Sequence, residues 1–137
     1  MQVQPYLFFD GRCEEAIEFY RKTLDAKLDK LLRYREAPPA SGMPMPPADK
    51  VMHAALYIGD TQVLASDGHC SGKPAFQGFS LTVTARDDAH ARQLFGALAD
   101  GGNVTQPLTR TFFASSFGML TDKFGVGWMV IAGGGNG

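Results

Sequence analysis

The sequence predicts an α+β protein made of two tandem βαβββ modules. Apolar residues recur at helical spacing in two segments, 14–28 and 87–102, and a strand-like run rich in aromatic and β-branched residues precedes each. Three further strand candidates follow each helix. Matching helix positions lie 75 residues apart, as in Ala16 and Ala91, which indicates a tandem duplication.

The first module opens with the strand-like run 5–9 and continues into the first helix. Asp10 and Gly11 follow this run and are suited to a cap and a turn. A stripe of apolar residues needs a partner surface, so we expect the helix to cover one face of a sheet. The stripe consists of Cys13, Ile17, Tyr20 and Leu24.

The rest of the first module contains three strand candidates, 27–36, 51–60 and 61–67. Gly59 and Asp60, between the last two, are typical of a hairpin turn. Residues 37–50 contain five prolines and are predicted to form a surface loop, because proline interrupts both helices and strands.

The second module repeats this order, beginning with the strand candidate 79–84. Asp87 or Asp88 is the expected N-cap of its helix, and two glycines at 101 and 102 are the expected stop. The helix stripe and the strands that follow it are Ala91, Leu94, Phe95 and Leu98, then 103–110, 115–122 and 125–132, with a turn from Asp122 to Gly125.

Length and composition predict one domain over residues 1–137. The first module covers about 1–74, the second about 75–132, and 133–137 form a frayed tail. A hydrophobic content of 45% is enough for a core without disulfides, so Cys13 and Cys70 are expected to be free thiols in a reducing compartment.

Charge and apolar content argue against two classes of partner, nucleic acids and membranes. The net charge is −1, with 13 basic and 14 acidic residues scattered along the chain, so we expect no binding to nucleic acid. No stretch approaches 18 consecutive apolar residues, and the N-terminus has no basic signal-like region, so we expect no membrane segment and a cytoplasmic location.

Three long strings resemble one known family. Residues 5–28, 53–67 and 117–130 are similar to the opening strand and helix, a hairpin and the closing D-x-F-G-x-x-W hairpin of PhnB-like proteins. These proteins belong to the vicinal-oxygen-chelate superfamily, with glyoxalases, bleomycin-resistance proteins and dioxygenases. The resemblance implies a glyoxalase-like domain whose modules form a cupped mixed sheet around a pocket, with helices on the outer face. It also implies a homodimer.

The same resemblance implies four metal-ligand positions, one on the first and one on the last strand of each module. They fall at Gln4 or Pro5, near Leu64 to Ser66, at Phe79 and at Met129. Hard divalent cations need carboxylate or imidazole donors, and only the amide of Gln4 could contribute an oxygen here. We therefore expect no metal at the family's position and no cofactor.

The predicted ligand pocket is aromatic and carries few charges. If Gln4 points into the cup, period-two alternation sends Tyr6 and Phe8 the same way and turns Leu7 and Phe9 towards the helix. Such a pocket suits a hydrophobic or planar ligand, although the same side chains could simply fill the cup and Trp128 could be core. The predicted pocket residues are Gln4, Tyr6, Phe8, Ser66, Phe79, Trp128 and Met129.

His53 and Asp67 are the candidate catalytic residues, because they lie at the ends of neighbouring strands beside Ser66. A histidine with a carboxylate neighbour could act as a general base. Alternatively, Asp67 caps a turn and His53 bonds an edge carbonyl. Cys13 is either activated by the helix N-terminus or buried in the helix stripe and inert, and Cys70 is expected to be the more exposed thiol.

These observations favour a protein of unestablished activity that binds a small organic molecule without the family's metal. One alternative is a metal-dependent lyase, isomerase or dioxygenase with a rearranged site at His53 and Asp67. Another is a drug-sequestering protein of the resistance type. The methyltransferase name carried by some members is not expected to apply, because no strand is followed by a G-x-G-x-x-G loop.

Overall fold

The computed structural model describes residues 1–36, 46–68 and 74–133. The chain divides into two compact units, Met1–Pro74 and Ala75–Gly137. Within the described residues, each unit contains one α-helix and one four-stranded mixed sheet, in the order βαβββ. The predicted α+β class and the repeated module are therefore confirmed. Cys70 lies outside the described residues, as do most of the proline-rich loop (37–45) and the tail after Gly133.

The first unit has the sheet order β1-β4-β3-β2. Strand β1 runs parallel to β4, and the remaining neighbours are antiparallel. Its elements are β1 Tyr6–Phe8, α1 Cys13–Leu24, β2 Lys27–Arg33, β3 Val51–Ile58 and β4 Thr61–Ser66, with a short 3-10 helix at Tyr34–Glu36.

The strand predicted over 27–36 ends early, at Arg33. Backbone N–H groups of Tyr34 and Arg35 bond to the carbonyl oxygens of Lys50 and Ala48, at 3.1 and 3.0 Å. The partner chain there is a turn that follows two prolines, which have no N–H group to extend a sheet ladder. Residues 34–36 therefore leave the strand and form one 3-10 turn.

The second unit has the matching sheet order β5-β8-β7-β6, with β5 parallel to β8. Asp87 is the N-cap of its helix, as predicted, and its carboxylate accepts the N–H of His90 at 2.7 Å. The elements are β5 Leu81–Thr84, α2 Asp88–Ala99, β6 Asn103–Thr109, β7 Ser116–Thr121 and β8 Gly127–Ala132.

The first helix is capped differently from the prediction. Asp10 has a left-handed φ of 57° and belongs to the turn, while Arg12 occupies the N-cap position without a side-chain cap bond. The acceptor is Asp67, whose carboxylate takes the N–H of Cys13 at 2.8 Å. A residue distant in the sequence therefore stabilises the start of the helix, and the residues next to the helix could not predict it.

Each sheet has one face towards the helix of its own unit and one face away from it, which we call the far face. Along β1 and the residue that follows it, Leu7 and Phe9 are buried on the helix side, whereas Tyr6 and Phe8 are 38% and 55% exposed on the far face. This is the alternation expected of a strand covered on one side.

Both described helices fall short of the length and apolar character needed to cross a membrane.

The turn between β7 and β8 is held by a buried carboxylate, as the sequence predicted. Asp122 Oδ1 accepts the N–H groups of Phe124 and Val126 at 2.9 and 3.0 Å, and Oδ2 accepts Trp128 Nε1–H at 2.9 Å. Gly125 completes the turn with a φ of 94°, a conformation that glycine adopts without strain. One side chain thus fixes both the turn and the indole that returns into the core.

Replacing Asp122 with alanine should lower the free energy of unfolding by about 3–5 kcal/mol, because three buried donors lose a charged acceptor. Urea denaturation of purified protein would measure this change. The matched control is Asp29→Ala, since Asp29 is exposed on β2 and should change stability by less than about 0.5 kcal/mol. Equal stability of the two variants would contradict the assigned role.

Candidate functional site

The far face of the first sheet brings four candidate residues together. Phe8 stands beside Ser66 in the parallel pair, and Tyr6 stands beside Leu64. Since Ala54 pairs with Ala65 in the antiparallel ladder, His53 lies opposite Ser66 and on the same face. Tyr6, Phe8, His53 and Ser66 form what we call the Tyr6–His53 site.

A hydrogen bond joins the two titratable residues of this site. Tyr6 Oη lies 2.9 Å from His53 Nδ1, and the imidazole tautomer decides which of them donates. The rings of Tyr6 and His53 have centroids 5.6 Å apart, and those of Tyr6 and Phe8 are 4.9 Å apart. The polar pair is therefore embedded in an aromatic surface.

Ser66 places a hydroxyl on the same face of the sheet. It is only 3% exposed, and its hydroxyl accepts the N–H of Gly68 at 2.9 Å and donates to the carbonyl oxygen of Val51 at 3.5 Å. Burial raises the pKa of Tyr6, against the opposing effect of the Ser66 hydroxyl, so the phenol remains a protonated donor at neutral pH. The site therefore consists of the hydrogen-bonded pair of Tyr6 and His53 with a buried hydroxyl beside it.

Gln4 lies two residues before β1, on the same face of the sheet as Tyr6. Its Nε2 donates to Gln62 Oε1 at 2.5 Å, which ties the segment before β1 to β4. The amide is half-buried. Gln4 therefore borders the Tyr6–His53 site through a bond to another side chain.

The structure does not place Asp67 against His53, the residue with which it was predicted to pair. Side chains alternate between the two faces along an extended chain, so Asp67, one residue after Ser66, turns to the helix side, where it is 1% exposed. Its carboxylate accepts backbone N–H groups of Gly11 and Cys13 through Oδ1 and of Val51 through Oδ2, at 2.8 to 2.9 Å. These bonds make Asp67 a structural anchor, and the partner of His53 is Tyr6.

Cys13 occupies the helix stripe in the manner that favours an inert thiol. The side chain is fully buried, and burial raises the pKa of the thiol far above its ordinary value, with the charge of Asp67 adding to the effect. A thiolate nucleophile is therefore disfavoured at this position.

The other three predicted pocket residues belong to the second unit. Trp128 is 2% exposed on the helix side of β8, where it serves as the core anchor bonded to Asp122. Met129 takes the opposite, far face, and its sulfur accepts from Thr82 Oγ1 at 3.8 Å. Phe79 precedes β5 and is 47% exposed. Alternation thus separates Trp128 from Met129, a choice that the sequence had left open.

The residues at the four ligand positions that the family resemblance implies do not fit a divalent cation. Gln4 is bonded to Gln62, and the other positions offer Leu64 to Ser66, Phe79 and Met129. These side chains supply no carboxylate or imidazole. Within residues 1–36, 46–68 and 74–133, no three His, Cys, Asp or Glu side chains are grouped so that they could hold a metal ion.

Comparison with known proteins gives a family match over nearly the whole chain. Residues 1–131 match the family model described as 3-demethylubiquinone-9 3-methyltransferase. Protein YjdN from Escherichia coli (strain K12) is 34% identical over 139 residues, which cover 95% of this chain and 94% of YjdN.

Two solved structures are similar to this chain over nearly its whole length. Protein PA1353 from Pseudomonas aeruginosa is 42% identical, with a TM-score of 0.83 over 96% of this chain and 97% of that one. The PhnB protein from Bacillus cereus is 27% identical, with a TM-score of 0.80 over 96% and 99%.

More distant structures share the fold alone. The fosfomycin resistance protein FosX from Mesorhizobium loti is 11% identical, with a TM-score of 0.64 over 96% of this chain and 90% of FosX. Lactoylglutathione lyase from Agrobacterium tumefaciens is 17% identical, with a TM-score of 0.61 over 97% and 92%. These likenesses support the resemblance to the vicinal-oxygen-chelate fold.

Asp67 and His53 should differ in how much their substitution lowers the free energy of unfolding. Asp67→Asn should lower the free energy of unfolding by about 2–4 kcal/mol, because an amide replaces a charged acceptor of three backbone donors. His53→Ala should change it by about 1 kcal/mol or less, since His53 is half-buried on the far face. Urea denaturation measures both, and a larger loss for His53→Ala would overturn these assignments.

Proposed function

Because the chain belongs to the family described as 3-demethylubiquinone-9 3-methyltransferase and is similar to a PhnB protein, we propose that it binds a small organic molecule on the far face of its first sheet. The observation that carries the proposal is the hydrogen-bonded pair of Tyr6 and His53 beside the exposed ring of Phe8.

The chemistry of this face favours a planar, uncharged ligand with one polar group. Phe8 exposes 55% of its surface and offers a flat apolar ring for stacking. Tyr6 and His53 can donate or accept a hydrogen bond at the edge of that ring. Binding sites of this kind combine a mostly apolar lining with a few directional polar groups.

We propose that the site functions without a divalent cation. The positions that the superfamily uses for ligands carry amide, hydroxyl, aliphatic, aromatic and thioether side chains. The rearranged metal site considered at His53 and Asp67 is not favoured, because the two residues turn to opposite faces of the sheet. A hydrogen-bonding site is thus the arrangement that the side chains support.

We also propose that methyl transfer is not the function, despite the family's description. S-adenosylmethionine is ordinarily held by a glycine-rich strand-to-helix loop in a doubly wound sheet. Here the connection from β1 to α1 reads Phe9-Asp10-Gly11-Arg12, and that from β5 to α2 reads Ala85-Arg86-Asp87. Neither sequence carries the repeated glycines that bring a backbone close to a nucleotide.

We propose that the protein acts in the cytoplasm as a homodimer, as the resemblance to its superfamily implies. Light scattering at micromolar concentration should give about twice the monomer mass of 14.8 kDa. A mass of one chain at all concentrations up to about 100 μM would contradict the dimer. The ligand-binding proposal does not depend on the result, because the Tyr6–His53 site lies within one unit.

Binding of 2-naphthol would test the proposed site, because it combines a flat apolar body with one hydroxyl. Titration followed by NMR should give a dissociation constant that rises about three- to tenfold in Phe8→Ala and in Tyr6→Phe, through loss of stacking and of a hydrogen bond. Phe112→Ala is the matched control, since Phe112 is fully exposed outside the sheets. Absence of binding at millimolar 2-naphthol, or equal weakening in the control, would refute the proposal.

A further inference from the structure

We propose that Tyr6 and His53 form a metal-independent acid–base pair that hydrolyses aryl esters bound on the far face of the first sheet. The inference rests on the proposed function, because it uses the same binding surface and assigns it a substrate class. It depends on three observations, which are the geometry of the pair, its polar supports and its access to water.

The geometry leaves one reactive atom on each partner. His53 Nδ1 lies 2.9 Å from Tyr6 Oη, so the other ring nitrogen, Nε2, is outside this bond. When Nδ1–H donates to Tyr6, Nε2 carries a lone pair and the phenolic O–H is left to donate elsewhere. A base and a hydrogen-bond donor then stand side by side on one surface.

The support of the pair restricts where its atoms point. Tyr6 is held by its hydrogen bond with His53 and by the parallel pairing of β1 with β4, and Ser66 on β4 is itself held by the N–H of Gly68. The phenol remains protonated because burial raises its pKa. Tyr6 is therefore a neutral donor suited to an oxygen that gains negative charge during reaction.

Access to water selects hydrolysis as the reaction. Tyr6 is 38% exposed and Phe8 is 55% exposed, so the surface is wet. A wet site permits attack by water, whereas reactive carbanion-like intermediates need a site from which water is excluded. The ring of Phe8, 4.9 Å from that of Tyr6, provides a stacking surface for the aryl group of the ester.

The reaction balances without any further reactant. Water attacks the ester carbonyl carbon while its proton moves to His53 Nε2, and Tyr6 O–H donates to the carbonyl oxygen as that oxygen becomes negative. The tetrahedral intermediate then collapses, and the bond between the acyl carbon and the aryl oxygen breaks. The imidazolium returns its proton to the departing aryl oxygen, which gives a phenol and a carboxylic acid.

Hydrolysis of 2-naphthyl acetate by the full chain, with EDTA present, tests this assignment. We expect turnover above that of free imidazole at the same concentration. Positioned general bases contribute about 10²–10⁴-fold, so His53→Gln should lower kcat about 100-fold with KM nearly unchanged, and Tyr6→Phe should lower kcat about tenfold. His53→Asn serves as a second variant if His53→Gln unfolds, and thermal denaturation verifies folding.

The matched control is His90→Ala, because His90 is a histidine of the second unit that takes no part in the site. Unchanged kcat in His90→Ala supports the assignment. Wild-type rates no higher than those of imidazole, or equal losses in His90→Ala and His53→Gln, would overturn it. Tight 2-naphthol binding without ester hydrolysis refutes the acid–base pair alone, whereas loss of both refutes the proposed function as well.

Discussion

The buried carboxylate of Asp67 is the constraint on which the first unit depends. It accepts N–H groups from the turn before α1, from the first residue of α1 and from the first residue of β3, while its own N–H bonds to the carbonyl of Val51. Four chain segments therefore meet at one side chain that is 1% exposed. This junction fixes the ends of β3 and β4, and with them the position of His53 opposite Ser66.

The two modules solve the same problem of helix capping in different ways. Helix α2 takes its cap from Asp87, directly before it in the sequence, whereas α1 takes its cap from Asp67, 54 residues beyond Cys13. In the second unit the buried carboxylate is Asp122, which serves the closing turn and Trp128 instead. Duplication has thus preserved the order of the elements while the buried polar groups that hold them have diverged.

The type and order of the helices and strands could be predicted from the sequence, because local periodicity and turn chemistry determine them. Neighbouring residues were enough to predict the apolar stripe of α1, the cap at Asp87 and the turn at Asp122. The partner of His53 was not, because it depends on the register of a parallel pair between β1 and β4, whose strands are distant in sequence. A shift of the register by one residue would place Asp67 where Ser66 stands and would turn the Ser66 side chain to the other face. The positions of the strand ends alone therefore could not predict which residue lies beside His53.

The residues of the far face show how one fold can host different chemistry. Where a bound cation supplies a concentrated positive charge, a site needs several anionic or imidazole side chains that converge from separate strands. Here a donor and an aromatic ring lie on β1 and a base lies on β3, the two strands that flank β4, and the backbone ladders of one sheet position all three. A neutral hydrogen-bond donor stabilises a negative oxygen less than a cation does, so this face suits ligands and esters that need little activation. The fold therefore fixes where a site can stand, and the side chains at the far-face positions determine what chemistry it can perform.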